Sequence, residues 1–587
     1  MFRCITKSFA NKCRTGRRPI LTMDPTATVA DGVAKAVENN GNEARKRSFH
    51  ENRPFKKQRT DKRKKVKPVK EGSNEEVLLV EVRELLEKQK LSDTNDLNSA
   101  SKEESQPAPT LPERFSEIEV KVAELSSTGD GLAFAPGSSQ IYVVPFTAPG
   151  DVVKIKVISH KGDHTIADFV SVVEASSLRD DSRINCKYFA SCSGCQFQML
   201  DYQTQLAHKK KIVEKAYKHF SQLPPELIPV IEDTMGSPLQ YGYRTKLTPH
   251  FDGPPGHRSK VNKRQGIRPT FDSVPPIGFM LKGQRTTMDI EDCPIGTEAV
   301  RMGMKRERAR VAEELKKYKS GATILLREST QRVAKGEPLP IQDLSEGIDY
   351  IKSEASEYTD IKSCITDNNA TSAEYVDNFK FTNPAGSFFQ NNNSILPPFT
   401  QYIREHILPP SSSDEKSEIK YLIDAYSGSG LFTITLSSLF ESSTGVDIAG
   451  PSIEYARQNA KLNDLADNRC SFMAADATQL FKSVTFPADK TVVVIDPPRK
   501  GCDESFLNQL MKFGPKRVVY VSCNVHTQAR DVGVLVRGDQ GVRYDIESLK
   551  GFDFFPQTGH VEGVAVLSRV EGGEAKGADG EEVAKAE

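Results

Sequence analysis

A cysteine ends one of the most apolar stretches of the chain. Residues 518–526 read VVYVSCNVH, so a run of β-branched and aromatic residues stops at Cys523, and Asn524 follows. Free cysteine is often a small buried residue, and strand periodicity alone favours that interpretation. A thiol at the end of a strand can instead act as a nucleophile and form a covalent intermediate. The residues that the fold places beside Cys523 decide between these interpretations.

A carboxylate follows another apolar run in the same way. The stretch VVVIDPPRKG at 492–501 places Asp496 at the end of a predicted strand. Two prolines then stiffen the loop, since each fixes one backbone dihedral angle. An ordinary proline-rich turn is one interpretation. A rigid loop that holds Asp496 between a cofactor and a substrate is the interpretation that we favour.

A glycine-rich turn and a second carboxylate predict a cofactor site. DAYSGSGLF places the turn 427–430 between a strand and a helix, where glycine lets the backbone approach a ligand closely. Asp447 ends the next strand about 20 residues later, where a carboxylate can accept hydrogen bonds from both ribose hydroxyls. The turn lacks the three-glycine dinucleotide fingerprint, which counts against NAD. We therefore predict S-adenosylmethionine, with an ordinary strand–helix turn as the alternative.

The elements that carry these residues alternate between strand and helix from about residue 385. YLIDAY, STGVD, CSFMAAD, TVVVID and RVVYVSC read as strands, and YDIESLKGFDFF with VEGVAVLSR reads as a final hairpin. Such alternation predicts a mostly parallel, Rossmann-like α/β sheet with helices on both faces. Ligands bind at the carboxyl ends of strands in such sheets. The predicted strand ends carry the SGSG turn, Asp447, Asp476, Asp496 and Cys523.

The chain divides into regions of different character. Five short strands separated by Gly, Pro and Asp turns predict a small OB-like barrel, a fold that often binds oligonucleotides. Residues 252–270 and 329–370 resemble surface insertions. The predicted regions are 1–111, largely disordered and basic with a short helix-like patch; 112–175, the barrel; 176–384, a central α+β domain; 385–571, the Rossmann-like domain; and 572–587, a disordered acidic tail.

Charge is concentrated in the first 70 residues, which hold 20 Lys and Arg against six Asp and Glu, although the whole chain has a net charge of +1. Such a head fits phosphate binding, an import signal or a solvated tail. Residues 1–22 fit a mitochondrial presequence and 45–70 a nuclear localisation signal. We expect a mitochondrial or nuclear location, or both, with a cytosolic pool. Initiation at Met23 would give a form without the presequence.

The ten cysteines do not suggest a disulfide framework in a chain of this length. The sequence has no apolar run of about 18 residues, so we do not predict a transmembrane helix. The segment CKYFASCSGC contains Cys186, Cys192 and Cys195, and Cys293 follows in DIEDCPIG. Four thiolates can hold a [4Fe–4S] cluster or a tetrahedral zinc ion. Spacing alone does not separate these two from unligated thiols.

Six motifs carry a family resemblance: GSFFQNN, DAYSGSGLF, GVD, DPPRKG, YVSCN and FPQTGHVE, in this order. Together they resemble the RNA uracil-5-methyltransferase family over about residues 112–571, and the barrel is similar to its TRAM domain. The resemblance implies S-adenosylmethionine-dependent formation of 5-methyluridine. It implies tRNA as the RNA partner, at the T-loop uridine 54, with ribosomal RNA or a non-catalytic RNA-binding factor as alternatives. We expect a monomer with no obligate protein partner and no membrane association.

The same resemblance assigns roles to residues. Cys523 would add to C6 of uracil as a thiolate, so that C5 becomes nucleophilic, and Glu562 would then remove the C5 proton. We expect the pKa of Cys523 to be lowered by its strand–helix junction. The implied cofactor contacts are Gln390, Tyr426, Gly428, Asp447 and Asp496, although relatives often have Glu in place of Asp447 and Cys in place of Ser427. The resemblance also favours an iron–sulfur cluster over zinc.

RNA binding has its own requirements. A uridine in a stem or loop must leave its stack to reach such a pocket, at a cost of roughly a few kcal/mol. Contacts outside the pocket must offset that cost. The barrel and the cationic stretch 260–268 are candidates, and a solvated loop is the alternative for the latter. His526 and His560 flank the site motifs, and we expect both to be structural.

Overall fold

The computed structural model describes residues 69–96, 111–339 without 137, 349–409, 418–475, 480–539 and 541–570. Residues 1–68, which contain the presequence motif and most of the nuclear signal, lie outside this range. Asp476 and the acidic tail do so too. No helix in the described ranges is both long enough and apolar enough to cross a bilayer.

A helix and a closed barrel begin the described structure. Helix α1 covers Asn74–Asp96 and contains the helix-like patch that was predicted within residues 1–111. Its Val82 and Leu85 pack against Leu132 and Ile141 of the barrel, and burial of this apolar surface holds the helix in place. As predicted, five strands close into a barrel, in the order β1-β2-β3-β5-β4: β1 Glu117–Leu125, β2 Gly131–Phe134, β3 Ile141–Val144, β4 Val152–His160 and β5 His164–Glu174.

The next two elements belong to the C-terminal core and not to a separate central domain. Helix α2 covers Tyr202–Phe220 and strand β6 covers Glu232–Met235. Ile212 and Ala216 of α2 share one apolar cluster with Val532 and Leu535 near the C terminus. The predicted boundaries of the central domain miss this packing, because the partners of α2 lie more than 300 residues further along the chain.

Two small four-stranded sheets make up most of the central region, in the orders β10-β9-β8-β11 and β13-β14-β12-β7. Residues 329–370 were predicted as a surface insertion, but β12 and β14 pair over eight residues and bury Ile361 and Cys364. The elements are β7 Lys246–Leu247, β8 His250–Phe251, α3 Lys260–Arg264, β9 Gly278–Met280, β10 Thr287–Asp289, α4 Glu298–Glu313, β11 Ala322–Thr323, β12 Leu326–Ala334, β13 Tyr350–Glu354 and β14 Tyr358–Ile365.

A hairpin leads into the predicted Rossmann-like domain, whose alternation of strands and helices is confirmed. The hairpin consists of β15 Thr371–Val376 and β16 Phe379–Pro384. The domain contains α5 Leu396–His406, β17 Tyr421–Ala425, α6 Leu431–Thr435, β18 Ser442–Asp447, α7 Gly450–Leu462, β19 Cys470–Ala474, α8 Leu480–Ser483, β20 Thr491–Ile495, α9 Glu504–Phe513, β21 Arg517–Ser522, α10 Val525–Arg537, β22 Tyr544–Phe552 and β23 Glu562–Arg569.

These strands form one eight-stranded sheet in the order β19-β18-β17-β20-β21-β23-β22-β6. Strands β17 to β21 are parallel, and β23 runs antiparallel to both β21 and β22, as predicted for the final hairpin. Apolar clusters cover both faces. Parallel strands buried on both faces read as continuous apolar runs, which explains sequences such as TVVVI.

A buried ion pair attaches α2 to the loop that precedes β23. Lys209 and Asp553 form this pair, and both side chains are inaccessible to solvent. The Lys209 ammonium also donates to the carbonyl oxygens of Phe555, at 3.1 Å, and His560, at 2.8 Å. Asp553 accepts from the Tyr202 hydroxyl at 2.9 Å. The pair therefore fixes both ends of the segment 553–560.

Replacement of Lys209 by Met should destabilise the protein strongly. Asp553 would remain buried without its cation, and breaking a buried pair in this way costs about 3–5 kcal/mol. Urea denaturation measures the change in the free energy of unfolding. Lys210→Met is the matched control, because Lys210 pairs with the 95% exposed Asp233, and exposed pairs contribute about 0–1 kcal/mol. Equal effects of the two substitutions would contradict the assigned role of Lys209.

Candidate active site

The carboxyl ends of the parallel strands meet at one edge of the sheet, and the candidate residues lie there. The turn after β17 contains Tyr426 and Gly428, and β18 ends at Asp447. Asp496 and Cys523 directly follow β20 and β21. The structure therefore brings these five predicted residues to a common edge, which is where open α/β sheets bind their ligands.

The glycine-rich turn is held by Asp447 and leaves room for a ligand. The Gly428 amide donates to one Asp447 carboxylate oxygen at 3.0 Å, and the Ala449 amide donates to the other at 2.7 Å. Gly428 has φ +55°, and a Cβ added there would meet nothing within 4 Å. Glycine is thus required by the backbone conformation and not by crowding. Tyr426 also has positive φ, at 64°, and its ring packs against Phe506.

Two further carboxyls lie beneath this turn. Asp424, which sequence reasoning overlooked although it opens DAYSGSG, is buried and accepts from the Thr433 amide at 2.9 Å and the Thr433 hydroxyl at 2.6 Å. Burial, with a smaller contribution from Asp447, raises the pKa of Asp424 to about 7. Burial and the neighbouring Asp424 raise the pKa of Asp496 to about 7. This edge therefore concentrates carboxyls whose pKa is raised by burial.

The pairing of β21 with β23 brings Cys523 to Glu562. In this antiparallel pair Ser522 lies opposite Gly563, so the next position along β21 faces Glu562, the first residue of β23. Glu562 is buried, at 3% exposure, and Cys523 is partly buried. The two residues are 39 positions apart in sequence, and strand register alone closes that distance.

The predicted lowering of the Cys523 pKa is wrong for this structure. Burial, followed by the carboxyls of Glu562 and Asp496, raises its pKa to about 12. Arg499 opposes this shift, both by its charge and by a hydrogen bond to the sulfur. The pKa of Glu562 is also raised well above its ordinary value, first by burial and then by Asp496, with Arg499 again opposing. Burial therefore favours the neutral form of both groups, and Arg499 favours the charged form of both.

Arg499 is the second residue that sequence reasoning missed, and its position in DPPRKG is the signal that could have identified it. The backbone fixes its place: the Arg499 carbonyl accepts from the Asn524 side-chain amide at 2.9 Å and from the Thr527 hydroxyl at 3.2 Å. Beyond it, the Cys502 amide donates to the buried Asp531 at 2.7 Å. Helix α10 thus holds the cationic loop beside the thiol.

Gln390 lies in the loop between β16 and α5 and is partly buried. Its neighbour Phe389 is buried in the same apolar cluster as Phe432 of α6, so this loop lies against the helix that follows the glycine-rich turn. Phe388 is 76% exposed, and Ile448, directly after Asp447, is 72% exposed. Large apolar side chains exposed on either side of a polar edge are candidate ligand contacts.

A cavity of about 530 Å³ opens above Cys523. Arg499, His526 and His560 line it, together with residues of the barrel and of α1. His526 packs edge-to-face against Phe220, with ring centroids 5.2 Å apart. Burial lowers the pKa of His526 to about 4, so this imidazole is neutral at physiological pH.

The four predicted ligand cysteines line a second cavity of about 270 Å³. Cys186, Cys192, Cys195 and Cys293 all face it, so folding brings Cys293 to the other three across the 252–270 segment. Burial raises the pKa of Cys195 and of Cys293 to about 12. Within the described ranges, no three His, Cys, Asp or Glu side chains are grouped closely enough to hold a metal ion.

Comparison with known proteins places this architecture in a class. Residues 118–178 match the family model for the TRAM domain of tRNA (uracil(54)-C(5))-methyltransferase, and residues 370–570 match that for tRNA (Uracil-5-)-methyltransferase. The crystal structure of Pyrococcus abyssi tRNA (uracil-54, C5)-methyltransferase in complex with S-adenosyl-L-homocysteine superposes with a TM-score of 0.52 at 24% identity, over 77% of this chain and all of that one. The fold is therefore that of a methyltransferase with a TRAM barrel.

Two curated relatives define the family more closely. The tRNA (uracil(54)-C(5))-methyltransferase of Schizosaccharomyces pombe is 44% identical over 87% of this chain and 86% of its own length. The protein of the same description from Saccharomyces cerevisiae is 39% identical over 86% of this chain and 83% of its own. The chain belongs to the tRNA (uracil-5-)-methyltransferase family, which confirms the resemblance seen in its motifs.

The stability of the ligand-free protein should depend on pH through Asp424. Its pKa is 3.8 ordinarily and about 7 when folded, so the folded state holds a proton that the unfolded state has lost between these values. The free energy of unfolding of the wild type, relative to Asp424→Asn, should therefore fall as pH rises from about 4 to about 7. Denaturant titrations of both proteins across this range measure it. A difference that is constant with pH would contradict the raised pKa.

Proposed function

We propose that this protein methylates C5 of uridine 54 in tRNA, with S-adenosylmethionine as methyl donor. The observation that carries the proposal is the placement of Cys523 beside Glu562 at the edge of a methyltransferase sheet. The names of the two curated relatives support uridine 54 of tRNA as the target. A thiol and a carboxyl are the two groups that methylation at C5 requires, one to activate the base and one to remove a proton.

The residues at the glycine-rich turn fit S-adenosylmethionine, which supplies an electrophilic methyl group when bound. Gly428 leaves open space beside the turn, and Asp447 lies where a ribose would be held. Two buried polar atoms, Oδ1 of Asp424 and Oγ of Ser427, have no hydrogen-bond partner among the described residues. Buried polar atoms are normally satisfied, so these two indicate a missing ligand or water. Gln390, Tyr426 and Asp496 are the other proposed contacts.

Cys523 and Glu562 divide the chemistry between them. The Cys523 sulfur, as its thiolate, bonds to C6 of the uracil, and electron density shifts to C5, which would take the methyl group and leave S-adenosyl-L-homocysteine. Glu562, as its carboxylate, then takes the proton from C5, and the C6–S bond breaks to restore the C5–C6 double bond and the thiolate. Burial raises the pKa of Glu562, so its carboxylate is a stronger base than that of an ordinary glutamate. Arg499, which touches the sulfur, favours its thiolate form.

The binding of RNA extends beyond the target base. Because the target uridine must leave its stack at a cost of roughly a few kcal/mol, contacts elsewhere have to offset that cost. The exposed ring of Phe388 lies two residues before Gln390 and offers a surface on which a base can stack. Stacking on an aromatic side chain contributes about 1–3 kcal/mol per base.

Substitutions at the two catalytic positions should stop the reaction at different stages. Cys523→Ala should form no covalent adduct with tRNA that carries 5-fluorouridine at position 54, because no sulfur can attack C6. Glu562→Gln should form an adduct even with ordinary tRNA, because the methylated intermediate keeps its C5 proton and cannot release the sulfur. Denaturing gels that resolve the protein–RNA adduct measure both outcomes.

Two controls make this test decisive. Binding of S-adenosylmethionine, followed by calorimetry, should persist in Cys523→Ala, since the thiol lies outside the proposed cofactor contacts; loss of both activities would indicate a structural cysteine. A ribosomal RNA fragment with 5-fluorouridine in place of uridine should form no adduct with the wild type. Adducts with that fragment and none with tRNA would overturn the proposed substrate.

We infer, secondly, that the cysteine cavity holds a [4Fe–4S] cluster. Four thiols surround one cavity whose volume of about 270 Å³ accommodates more than a single ion, and cluster irons are bound by four cysteine thiolates. Burial raises the pKa of Cys195 and of Cys293, which disfavours their thiolate forms. Cationic irons would offset this cost, since a coordinating thiol is deprotonated by the metal.

Anaerobic purification followed by iron, sulfide and zinc analysis tests this second proposal. About four irons per chain are expected in the wild type, and Cys293→Ser should lose most of them because one ligand is removed. Cys470→Ser is a matched control, since Cys470 is a buried thiol in the core of the Rossmann-like domain. Stoichiometric zinc without iron would contradict the cluster.

A further inference from the structure

Helix α1 reaches the cavity above Cys523, although it precedes both segments that match family models. Asn74, Glu75, Leu78 and Leu79, all in its first two turns, line the cavity. The helix therefore contributes a wall to the same space that contains the candidate nucleophile.

The chain just before α1 is fastened beside that nucleophile. The Gly72 carbonyl accepts a hydrogen bond of 3.0 Å from the side-chain amide of Asn524, the residue after Cys523. Glu71 pairs with Arg530 at 3.1 Å. The backbone passes so close to α10 that a Cβ on Gly72 would lie 2.2 Å from the Thr527 methyl group. These contacts tie the lead-in of α1 to the start of α10.

The body of α1 is fixed to the barrel and to α2. Glu81 is buried and accepts from the Ser127 amide at 2.8 Å and from the Ser127 hydroxyl. Lys215 of α2 lies 3.7 Å from the same carboxylate, and Lys218 of α2 pairs with Glu84 at 2.5 Å. Val82 is wholly buried. Held at both ends, the wall has a defined position relative to Cys523.

Charge in this cavity is mixed. Lys161, Lys282 and Arg499 line it, and so do the carboxylates of Asp130 and Glu75. Lys282 is paired with Asp130 at 2.8 Å, which leaves Lys161 as the cation on the barrel side. Arg83 of α1 pairs with Asp163 at 3.3 Å, so α1 borders the barrel loop that carries Lys161. An RNA backbone that used Lys161 for a phosphate contact would therefore bring its bases next to the start of α1. A cavity of this size also exceeds one base, since cavities of roughly 300–1,000 Å³ enclose whole drug-sized ligands.

We propose that residues 74–79 of α1 form a base-contacting wall of the RNA cleft and bind the nucleotides that flank the target uridine. Asparagine amides and glutamate carboxylates suit the donors and acceptors of base edges, and Leu78 and Leu79 offer apolar surface. The inference rests on the proposed methylation of tRNA, because it is the uridine at Cys523 that places its neighbours against α1.

Kinetics of the full-length double variant Asn74→Ala/Glu75→Ala test the wall. The KM for tRNA should rise about three- to tenfold, as the loss of one or two hydrogen bonds implies, while kcat and the melting temperature stay unchanged. The slope of tRNA affinity against salt should also be unchanged, whereas Lys161→Ala should reduce it by about one phosphate contact. Glu87→Ala, an exposed glutamate outside the cavity on the same helix, is the control. A lower KM in the double variant would overturn the proposal, because α1 would then obstruct or repel the RNA.

A crosslinking experiment separates this inference from the proposed function. A tRNA with 5-fluorouridine at position 54 and 4-thiouridine at a flanking position is first trapped on the enzyme and then irradiated. Crosslinks to residues 74–79 are expected when the peptides are mapped by mass spectrometry. A covalent adduct with no crosslink to α1 from either flank would overturn the inference alone. Absence of the adduct would overturn the proposed function and the inference with it.

Discussion

The buried pair of Lys209 and Asp553 is the interaction on which the geometry of the site depends. Burial lowers the pKa of Lys209, and Asp553 opposes this shift through its charge and a hydrogen bond. Two backbone carbonyls accept from the same side-chain nitrogen. A pair of this kind adds little net stability compared with apolar residues of the same size. The pair instead fixes positions, because it attaches α2 to the segment that leads into β23. It thereby sets where β23 begins, at Glu562. The strand register then places Glu562 against Cys523.

The burial that orders the site also raises the free-energy cost of the charged forms of its acidic groups. Asp424, Asp496 and Glu562 lie at one edge of the sheet. Asp424 raises the pKa of Asp496, and Asp496 raises the pKa of Glu562. Arg499 opposes the raised pKa of Cys523 through its charge and through a hydrogen bond to the sulfur. Burial thus favours the protonated form of each of these acids. Stability is thus given up where the chemistry requires perturbed groups, as is common at active sites.

The placement of the site residues at strand ends was predictable from the sequence, because it depends only on local sequence patterns. Parallel strands buried on both faces are continuous apolar runs, so the positions of Asp447, Asp496 and Cys523 at strand ends followed from where each run stops. The pKa of Cys523 did not follow, because it depends on carboxyls from other strands. Glu562 was identified by resemblance alone, since no local pattern reveals which residue a strand register will place opposite Cys523.

The packing partners of two helices could not be predicted from the sequence, for one physical reason. Helix α1 lies in a charged, polar region, and its order comes from tertiary burial of Val82 and of Glu81 rather than from its own composition. Helix α2 was assigned to a central domain, yet its apolar face packs against α10. In both cases a helix obtains its partner from a distant part of the chain. The cavity above Cys523 is assembled in the same way, because its lining comes from α1, the barrel and the loops of the Rossmann-like domain. If α1 binds the flanking nucleotides as proposed, substitutions in it would change RNA binding while the strand-end chemistry stays unchanged.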